Sequence, residues 1–218
     1  MKVSRLILGL ILALTLGLIP RAEAQETIKL MQPDLSQPGK NVLQAMKDRH
    51  SERTYGVGDL SLKQLSEVLW AAGGVNRTLE DGKIGRTAPS SHNDQAIDIY
   101  AFTKTAVYKY DPVAHELVLF LTGDHRETSG VQSYVSNAPL NLVYVADISK
   151  VSGDTNDYKI RLVSMDVGHM SENVYLYAAA YGLNAICRSN IDPSELRTLL
   201  KLGDHFEPLL GQTVGLPQ

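Results

Sequence analysis

The segment LNLVYVAD, residues 140–147, is the feature that most constrains the fold of this chain. Its side chains are apolar almost without interruption, with Asn141 and Asp147 as the clear polar exceptions. A strand with one solvated face alternates apolar and polar residues, whereas a strand buried on both faces does not. The run therefore predicts a central strand that other parts of the chain cover on both faces.

Residues 96–123 have the spacing of a three-stranded meander. Ile97, Ile99 and Ala101 alternate with other residues, the run AVYKY favours β structure, and ELVLFL follows the turn residues DPVAH. A period of two with turn residues between the runs is the signature of consecutive strands. Two further strands are predicted, a buried one at 184–188 (NAICR) and a closing one at 208–217 (PLLGQTVGLP).

Helical spacing appears in four segments, two before these strands and two between them. A short helix is predicted in VLQAMKDR, residues 42–49. Ser61 and Gln64 form a capping-box pattern before a second helix, which Gly73-Gly74 ends. Residues 165–181 have helical spacing and are followed by Gly182, a residue suited to the left-handed conformation that ends a helix. The last helix is predicted to start at Asp192-Pro193-Ser194-Glu195.

The order of these elements indicates the fold class. The polar, glycine-bearing segment NRTLEDGKIGR, residues 76–86, is predicted to be a loop. Strands and helices are mixed along the chain without strict alternation, which favours an α+β fold over a doubly wound parallel sheet.

The first 40 residues predict an export signal and an arm. Lys2 and Arg5 precede an apolar run at 6–19, and Ala22-Glu23-Ala24 has the small-residue pattern of a cleavage site. We expect residues 1–24 to be a secretory signal peptide, 25–40 a polar N-terminal arm, and 41–218 one domain. The protein is then exported, to the periplasm, with no stable membrane association after cleavage; an uncleaved anchor is the alternative.

The charge, the histidines, the single cysteine and two absent motifs argue against several classes of function. The formal charge is −3 with both signs mixed along the chain, so no basic stripe suits nucleic acid. The six histidines are scattered without ligand spacing, and we expect no metal site. Cys187 is the sole cysteine and is predicted to be a packed, inert thiol. The segment GVGDLS lacks the third glycine of a dinucleotide fingerprint, and no G-x-S-x-G elbow occurs.

The segment DRHSERTY, residues 48–55, is the first candidate site. In an extended segment Arg49, Ser51 and Arg53 would point to one face. Guanidinium groups match phosphate oxygens with paired hydrogen bonds, and a serine hydroxyl adds a further donor. The alternative is a solvated turn in which the arginines pair with Asp48 and Glu52.

The segment APSSHNDQ, residues 88–95, is the second candidate site. Ser90, Ser91, Asn93 and Gln95 offer hydroxyl and carboxamide groups in one compact loop, and such groups can read the edge of a polar heterocycle. The alternative is a surface turn, because Pro, Ser, Asn and Asp are the usual turn residues.

Taken together, these motifs resemble those of the nitroreductase family of FMN-dependent oxidoreductases. The family's R-x-S-x-R/K run is matched by residues 49–53, and its P-S-S-x-N-x-Q run by residues 89–95. Its helix ending A-A-x-x-G-L is matched at 179–183, after Asp166-x-Gly168, and a V-G-x-P close is present at 214–217. The four motifs span almost the whole chain after residue 24, in the family's order.

The resemblance implies a nitroreductase-like α+β sandwich with a mainly antiparallel sheet flanked by helices, assembled as a homodimer with two FMN molecules. No catalytic side chain is expected, because the flavin carries the chemistry: a donor such as NAD(P)H reduces it, and it reduces a small-molecule substrate. Arg49, His50, Ser51 and Arg53 would bind the phosphate and ribityl chain from one protomer. The other protomer would contribute the residues of the serine loop, namely Pro89, Ser90, Ser91, Asn93 and Gln95. Arg188 and Ser189 would lie near flavin N5.

Three features depart from the family pattern. Ala96 and Ile97 stand where a proline and a tryptophan usually follow the second motif. Together with the segment KTAVYKYDPVAHEL, residues 104–117, this departure is more similar to the SagB-type dehydrogenase branch. No Lys or Arg follows residues 214–217 in the sequence, and the export signal is unusual among relatives that use cytoplasmic NAD(P)H. Two alternatives therefore stay open: an exported binding or scaffold protein without redox turnover, and a SagB-like oxidase that modifies peptides.

Overall fold

A seven-stranded sheet forms the centre of the protein in a computed structural model that describes residues 27–37 and 39–218. The predicted signal peptide, residues 1–24, lies outside the described residues. The elements are β1 (Thr27–Lys29), α1 (Val42–Asp48), α2 (Leu62–Gly73), β2 (Val75–Thr78), β3 (Ile84–Arg86), β4 (Ile97–Phe102), β5 (Ala106–Asp111), β6 (Glu116–Thr122), β7 (Leu140–Asp147), α3 (Asn156–Tyr181), β8 (Asn184–Arg188), α4 (Pro193–Leu199) and β9 (Phe206–Gly215).

The sheet confirms the strand predictions. Its order is β1-β6-β5-β4-β7-β9-β8, and all of its pairings are antiparallel. Strand β7 lies between β4 and β9, and every one of its residues is buried, as its apolar run predicts. Strands β4, β5 and β6 form the expected meander, while β9 closes the sheet between β7 and β8.

Helices cover both faces of this sheet. On one face α2 and α3 pack against it, with Leu69 and Val174 in the same buried cluster as Tyr144. On the other face Leu196 of α4 and Leu200, directly after the helix, belong to a smaller cluster. Helix α1 packs on α3. This is the predicted α+β fold with a mainly antiparallel sheet flanked by helices.

The helix ends show the expected caps. Ser61 and Gln64 form the capping box of α2, and Asp192 accepts from the backbone N–H groups of Ser194 and Glu195 at the start of α4. Gly182 ends α3 with φ 72°. Helix α3 begins at Asn156 rather than near 165, because Thr155 caps it and accepts from the Tyr158 N–H at 3.2 Å.

Two segments differ from the predictions. Residues 76–86 are not a loop: most of them form the hairpin β2–β3, in which Gly82 takes φ 80° at the turn. The N-terminal arm is packed in part, since β1 pairs with β6 and Met31 N–H donates to Ser66 Oγ at 2.9 Å. Among the helices of the described ranges, none is both long and apolar enough to cross a bilayer.

Candidate functional site

The segment 49–56 leaves α1 and runs beside the ends of β8 and β9. Glu52 N–H donates to the Ala185 carbonyl at 3.0 Å, and the Asn184 side chain donates to the Thr54 carbonyl at 2.8 Å. Gly56 N–H donates to the Leu216 carbonyl at 2.9 Å. These bonds bring together three of the four sequence motifs: the R-x-S-x-R run of residues 49–53, called the arginine motif below, the end of α3 with β8, and the V-G-x-P close.

Tyr175 of α3 sets the positions of two residues of the arginine motif. The Arg49 guanidinium lies 5.4 Å from the centre of the Tyr175 ring. The Tyr175 hydroxyl lies 3.0 Å from Ser51 Oγ and accepts the Cys187 N–H at 2.8 Å. Burial raises the pKa of Tyr175, so the hydroxyl stays protonated at neutral pH. Arg49 and Ser51 therefore both contact Tyr175, and that Arg53 shares their face stays a prediction.

The neighbouring acids do not neutralise the two arginines. Asp48 pairs with Lys40 at 2.8 Å and accepts from Gln44, and the Lys40 hydrogen bond is the main cause of its lowered pKa. Glu52 accepts from the Thr54 hydroxyl and from the N–H groups of Arg53 and Thr54, which lower its pKa. The structure thus excludes the solvated turn in which both acids pair with the arginines.

The guanidinium groups themselves remain available to a ligand. Arg49 reaches Glu172 only at 4.0 Å. Arg53 is exposed and forms no salt bridge with any residue of 27–37 or 39–218. His50 is exposed, and its Nδ1 lies 2.8 Å from the Asp48 carbonyl oxygen. Two cations and a hydroxyl on one surface segment form a site suited to a phosphate dianion.

The serine loop is held on the N-terminal half of α3 by Asp166. The Ser91 N–H lies 3.1 and 3.3 Å from the two carboxylate oxygens of Asp166. Burial raises the pKa of Asp166, and the Ser91 N–H opposes that shift. His92, Asn93 and Gln95 have φ of 51°, 59° and 49°, in the left-handed region that is uncommon for residues other than glycine, although Asn and His are enriched there. Backbone strain of this kind clusters at functional sites.

The two carboxamides of the loop donate within the protein. Asn93 Nδ2 and Gln95 Nε2 both donate to the Ile84 carbonyl, at 3.1 and 2.8 Å. Gln95 N–H donates to Ser90 Oγ at 3.1 Å, and Ser91 Oγ lies 3.0 Å from His92 Nδ1. These bonds hold the loop on β3, and Pro89 is exposed at its start. That Asn93 and Gln95 read a heterocycle stays a prediction.

The arginine motif and the serine loop meet α3 at different heights. Ser91 contacts Asp166 and Ser51 contacts Tyr175, nine residues further along the helix. At the rise of an α-helix these positions are about 14 Å apart along its axis. One protomer therefore does not bring the two motifs into contact with each other.

Arg188 is buried at the end of β8, with 6% of its surface exposed. Its guanidinium donates to Thr213 Oγ1, to the Ser129 carbonyl and hydroxyl at 3.0 Å each, and to Asn141 Oδ1 at 3.2 Å. All of these partners are neutral, and burial lowers its pKa. The side chain points into the protein, whereas Ser189 and Asn190 are exposed after the strand.

Sequence reasoning missed the part played by Tyr175 and Asp166. A buried tyrosine on a helix needs a partner for its hydroxyl, and a buried carboxylate needs a donor. Those rules give a signal that each residue has a partner, but the partners are 124 and 75 residues away in the chain.

Comparisons with known proteins agree with the motifs. A model described as the nitroreductase family matches residues 46–216. A Methanocaldococcus jannaschii protein described as a candidate nitroreductase is 30% identical over 200 residues, which are 87% of this chain and 97% of that protein. The crystal structure of a candidate nitroreductase from Ralstonia eutropha JMP134 superposes with a TM-score of 0.80 at 38% identity, covering 88% of this chain and 90% of that one. A chain of the E. coli microcin synthetase complex shares the fold, with a TM-score of 0.64 and 21% identity over 96% of this chain and 85% of that one.

Proposed function

Because the chain belongs to the nitroreductase family, we propose that it is an FMN-dependent oxidoreductase whose flavin phosphate is held by Arg49, Ser51 and Arg53. The observation that carries this proposal is the charge balance of the segment. Asp48 accepts from Lys40 and Gln44, and one oxygen of Glu52 accepts from Thr54 and backbone N–H groups. Neither acid pairs with Arg49 or Arg53, so both guanidinium groups can bind an anion.

The segment also fits a phosphate in shape. Tyr175 holds Ser51 by its hydroxyl and Arg49 by its ring, so two of the three donors are fixed before the ligand arrives. Fixed donors lose less conformational entropy on binding. Arg53 is exposed and supplies the second positive charge.

We propose that the serine loop of a second copy completes the site in a homodimer. The separation of the two motifs along α3 supports this arrangement, because neither protomer joins them alone. The strained, anchored loop presents Pro89, Ser90 and Ser91 at the surface. The outward side of α3 next to the serine-loop contact carries Met165, which is 51% exposed and is suited to a contact between copies.

Bound FMN would supply transfer of reducing equivalents between a donor and an acceptor that use the same pocket. The protein's own part is to hold the phosphate, orient the ring and shape the charge around it. Ser189, exposed after β8, lies where the family resemblance places the flavin N5 region. Arg188 adds a positive charge behind that strand end, and its partners there are all neutral.

The proposed donor is NAD(P)H or another reduced molecule, and the proposed acceptor is a small organic compound such as a nitro compound or quinone. Export by residues 1–24 is also a proposal, and it would place the donor outside the cytoplasm. Mass analysis of the protein recovered from the periplasm should show a mature chain that begins at Gln25. A full-length chain in that fraction would contradict cleavage after Ala24. The SagB-like and peptide-oxidase interpretations remain predictions.

A visible absorption spectrum tests the proposed function. The protein, purified and then incubated with FMN, should show a flavin spectrum that survives desalting and is bleached by NADH or NADPH under anaerobic conditions. Adding a nitroaromatic compound or a quinone should restore the colour. A folded protein that takes up no FMN would contradict the proposal and favour a binding or scaffold protein. A protein that keeps FMN but is bleached by neither NADH nor NADPH would contradict only the proposed electron donor.

A further inference from the structure

A cavity of about 410 Å³ lies between the N-terminal arm, α2 and α3. The arm contributes Asp34 and Leu35, α2 contributes Glu67 and Trp70, and α3 contributes Tyr177 and Tyr181. Its volume lies within the range of small-molecule sites in proteins. No residue of the arginine motif or of the serine loop lines it.

Aromatic rings form the walls of this cavity, and hydrogen bonds and stacking fix them. The Trp70 ring nitrogen donates to the Val75 carbonyl at 3.1 Å. Tyr177 and Tyr181 stack, with ring centres 4.6 Å apart and planes 27° from parallel. The Tyr181 hydroxyl donates to the Gln37 carbonyl at 3.2 Å. Rings held in this way lose little rotational freedom when a ligand binds beside them.

The floor of the cavity is acidic. Glu67 is 5% exposed, and its carboxylate accepts the Tyr177 hydroxyl at 2.7 Å and the Asp34 N–H at 3.3 Å. Burial raises the pKa of Tyr177, so the hydroxyl remains a neutral donor. The Ser36 hydrogen bonds lower the pKa of Asp34, which is therefore ionised at neutral pH.

One lysine lies near both carboxylates and leaves one negative charge uncompensated. Lys63 Nζ lies 3.7 Å from Asp34 and 4.0 Å from Glu67, long distances for ion pairs. Arg77 donates to Asn76 and to the Arg86 carbonyl, so its charge is directed at the hairpin and does not line the cavity. Aromatic faces around a carboxylate are the means by which proteins recognise organic cations.

We propose that this cavity binds a small aromatic amine in its protonated form. The rings of Trp70, Tyr177 and Tyr181 contact the aromatic part of the ligand, and Glu67 with Asp34 attracts its ammonium group. Anionic ligands, including the phosphates of a nicotinamide dinucleotide, are disfavoured, because the ionisable groups that line the cavity other than its tyrosines are carboxylates. The proposal goes beyond the flavin site and does not depend on it.

The chain contains its own reporter for this binding. Trp70 is its only tryptophan, so intrinsic tryptophan fluorescence comes from the cavity wall. We would titrate phenethylamine, phenethyl alcohol and phenylacetate, which differ mainly in charge, into the FMN-free protein. The expected affinity is at least about tenfold higher for the amine than for the alcohol, with phenylacetate weakest.

Two variants test separately what the carboxylate charge and the aromatic rings contribute to binding. Glu67→Gln keeps an acceptor for the Tyr177 hydroxyl but removes the charge, and should abolish the preference for the amine while the alcohol still binds. Tyr181→Leu removes one stacked ring and should weaken both ligands. Glu207→Gln is the matched control, because that carboxylate pairs with Arg197 of α4 on the other face of the sheet and should leave binding unchanged. Circular dichroism checks that each variant is folded.

Three results would overturn the proposal. They are equal binding of amine and alcohol to the wild-type protein, no fluorescence response to any probe, and an amine preference that persists in folded Glu67→Gln. If that variant does not fold, unchanged amine binding by Tyr181→Leu decides against the proposal. The titration is repeated with FMN present. An unchanged amine affinity shows that the cavity is separate from the flavin site, and competition between the amine and FMN would contradict that separation.

Discussion

The Tyr175 hydroxyl lies 3.0 Å from Ser51 Oγ, across 124 positions of sequence. The same oxygen accepts the Cys187 N–H at 2.8 Å, so one side chain joins α3, β8 and the arginine motif. The proposed phosphate-binding surface is therefore built on the central helix and on the edge of the sheet. Residues far from the motif in the sequence should control how well it binds FMN.

Tyr175→Phe tests this dependence. The variant keeps the ring beneath Arg49 but leaves the Cys187 N–H and the Ser51 hydroxyl without that partner. An unsatisfied buried donor costs about 1–3 kcal/mol, so we expect a loss of stability in that range and FMN affinity reduced severalfold. Urea denaturation and FMN titration measure the two effects. Tyr158→Phe, at an exposed position near the start of the same helix, should change neither.

Asp166 should hold the serine loop as a hydrogen-bond acceptor. Asp166→Asn can still accept the Ser91 N–H and should retain most FMN, whereas Asp166→Ala cannot and should lose FMN affinity by about tenfold. Isothermal titration with FMN compares the two variants. Equal FMN affinity in the alanine and asparagine variants would show that the anchor does not matter for the cofactor.

The raised pKa of Asp166 gives a separate prediction for stability. Burial favours the protonated carboxyl in the folded protein, relative to an ordinary pKa of 3.8. The contribution of Asp166 to stability is then fully present below the unfolded pKa and is lost as the pH rises through the folded pKa. The free energy of unfolding of the wild type minus that of Asp166→Asn should therefore fall as the pH rises from acid to neutral. A difference that rises over this range would contradict the burial effect.

Gly56 should be needed for the close approach of the arginine segment to the C-terminal residues. A Cβ at Gly56 would lie 2.2 Å from the Pro217 carbonyl oxygen, so an alanine must push the two segments apart. We expect Gly56→Ala to destabilise the protein by about 1–3 kcal/mol and to lower its FMN content. Gly203→Ala, whose nearest neighbour would be a His205 ring atom at 3.5 Å, is the control and should change little. Thermal denaturation and the flavin-to-protein absorbance ratio report the result.

Mixed dimers test whether the flavin site is shared between two copies. One chain carries Arg49→Ala with Arg53→Ala, and the other carries Ser91→Trp, which blocks the serine loop. If each site uses the arginines of one copy and the loop of the other, a mixed dimer has one intact site and one doubly defective site. Co-expression with two different tags should then restore about half of the wild-type FMN content, although neither variant binds FMN alone. A mixed dimer without FMN would place both motifs of each site in one chain.

The sequence predicted the elements whose side chains face the core. Strand β7 and the meander were predictable because burial imposes a clear pattern on their residues, and α2 and α4 because their caps use characteristic side chains. The hairpin β2–β3 was missed because β2 is largely exposed and carries no apolar alternation. The start of α3 was missed for a similar reason, since residues 156–158 are exposed and polar or charged apart from Tyr158.

The candidate site was predictable only where its residues are neighbours in the chain. The arginine motif and the serine loop each occupy a few consecutive residues, so their chemistry could be inferred from spacing. Whether Asp48 and Glu52 neutralise the arginines depends on Lys40, Gln44 and Thr54, and local spacing does not decide among these partners. The inward direction of the Arg188 side chain could not be predicted from local spacing either, because its partners come from β7, β9 and the loop before β7.

The most direct test of the account compares FMN with riboflavin, which lacks the phosphate. Affinities of both flavins should be measured by fluorescence quenching for the wild-type protein, for Arg49→Ala with Arg53→Ala, and for Arg197→Ala as an arginine control on the other face of the sheet. We predict that the wild type and the control bind FMN on the order of a hundredfold more tightly than riboflavin, and that the double variant binds both equally weakly. A double variant that keeps the wild-type preference for FMN would contradict the assignment of the phosphate to Arg49 and Arg53.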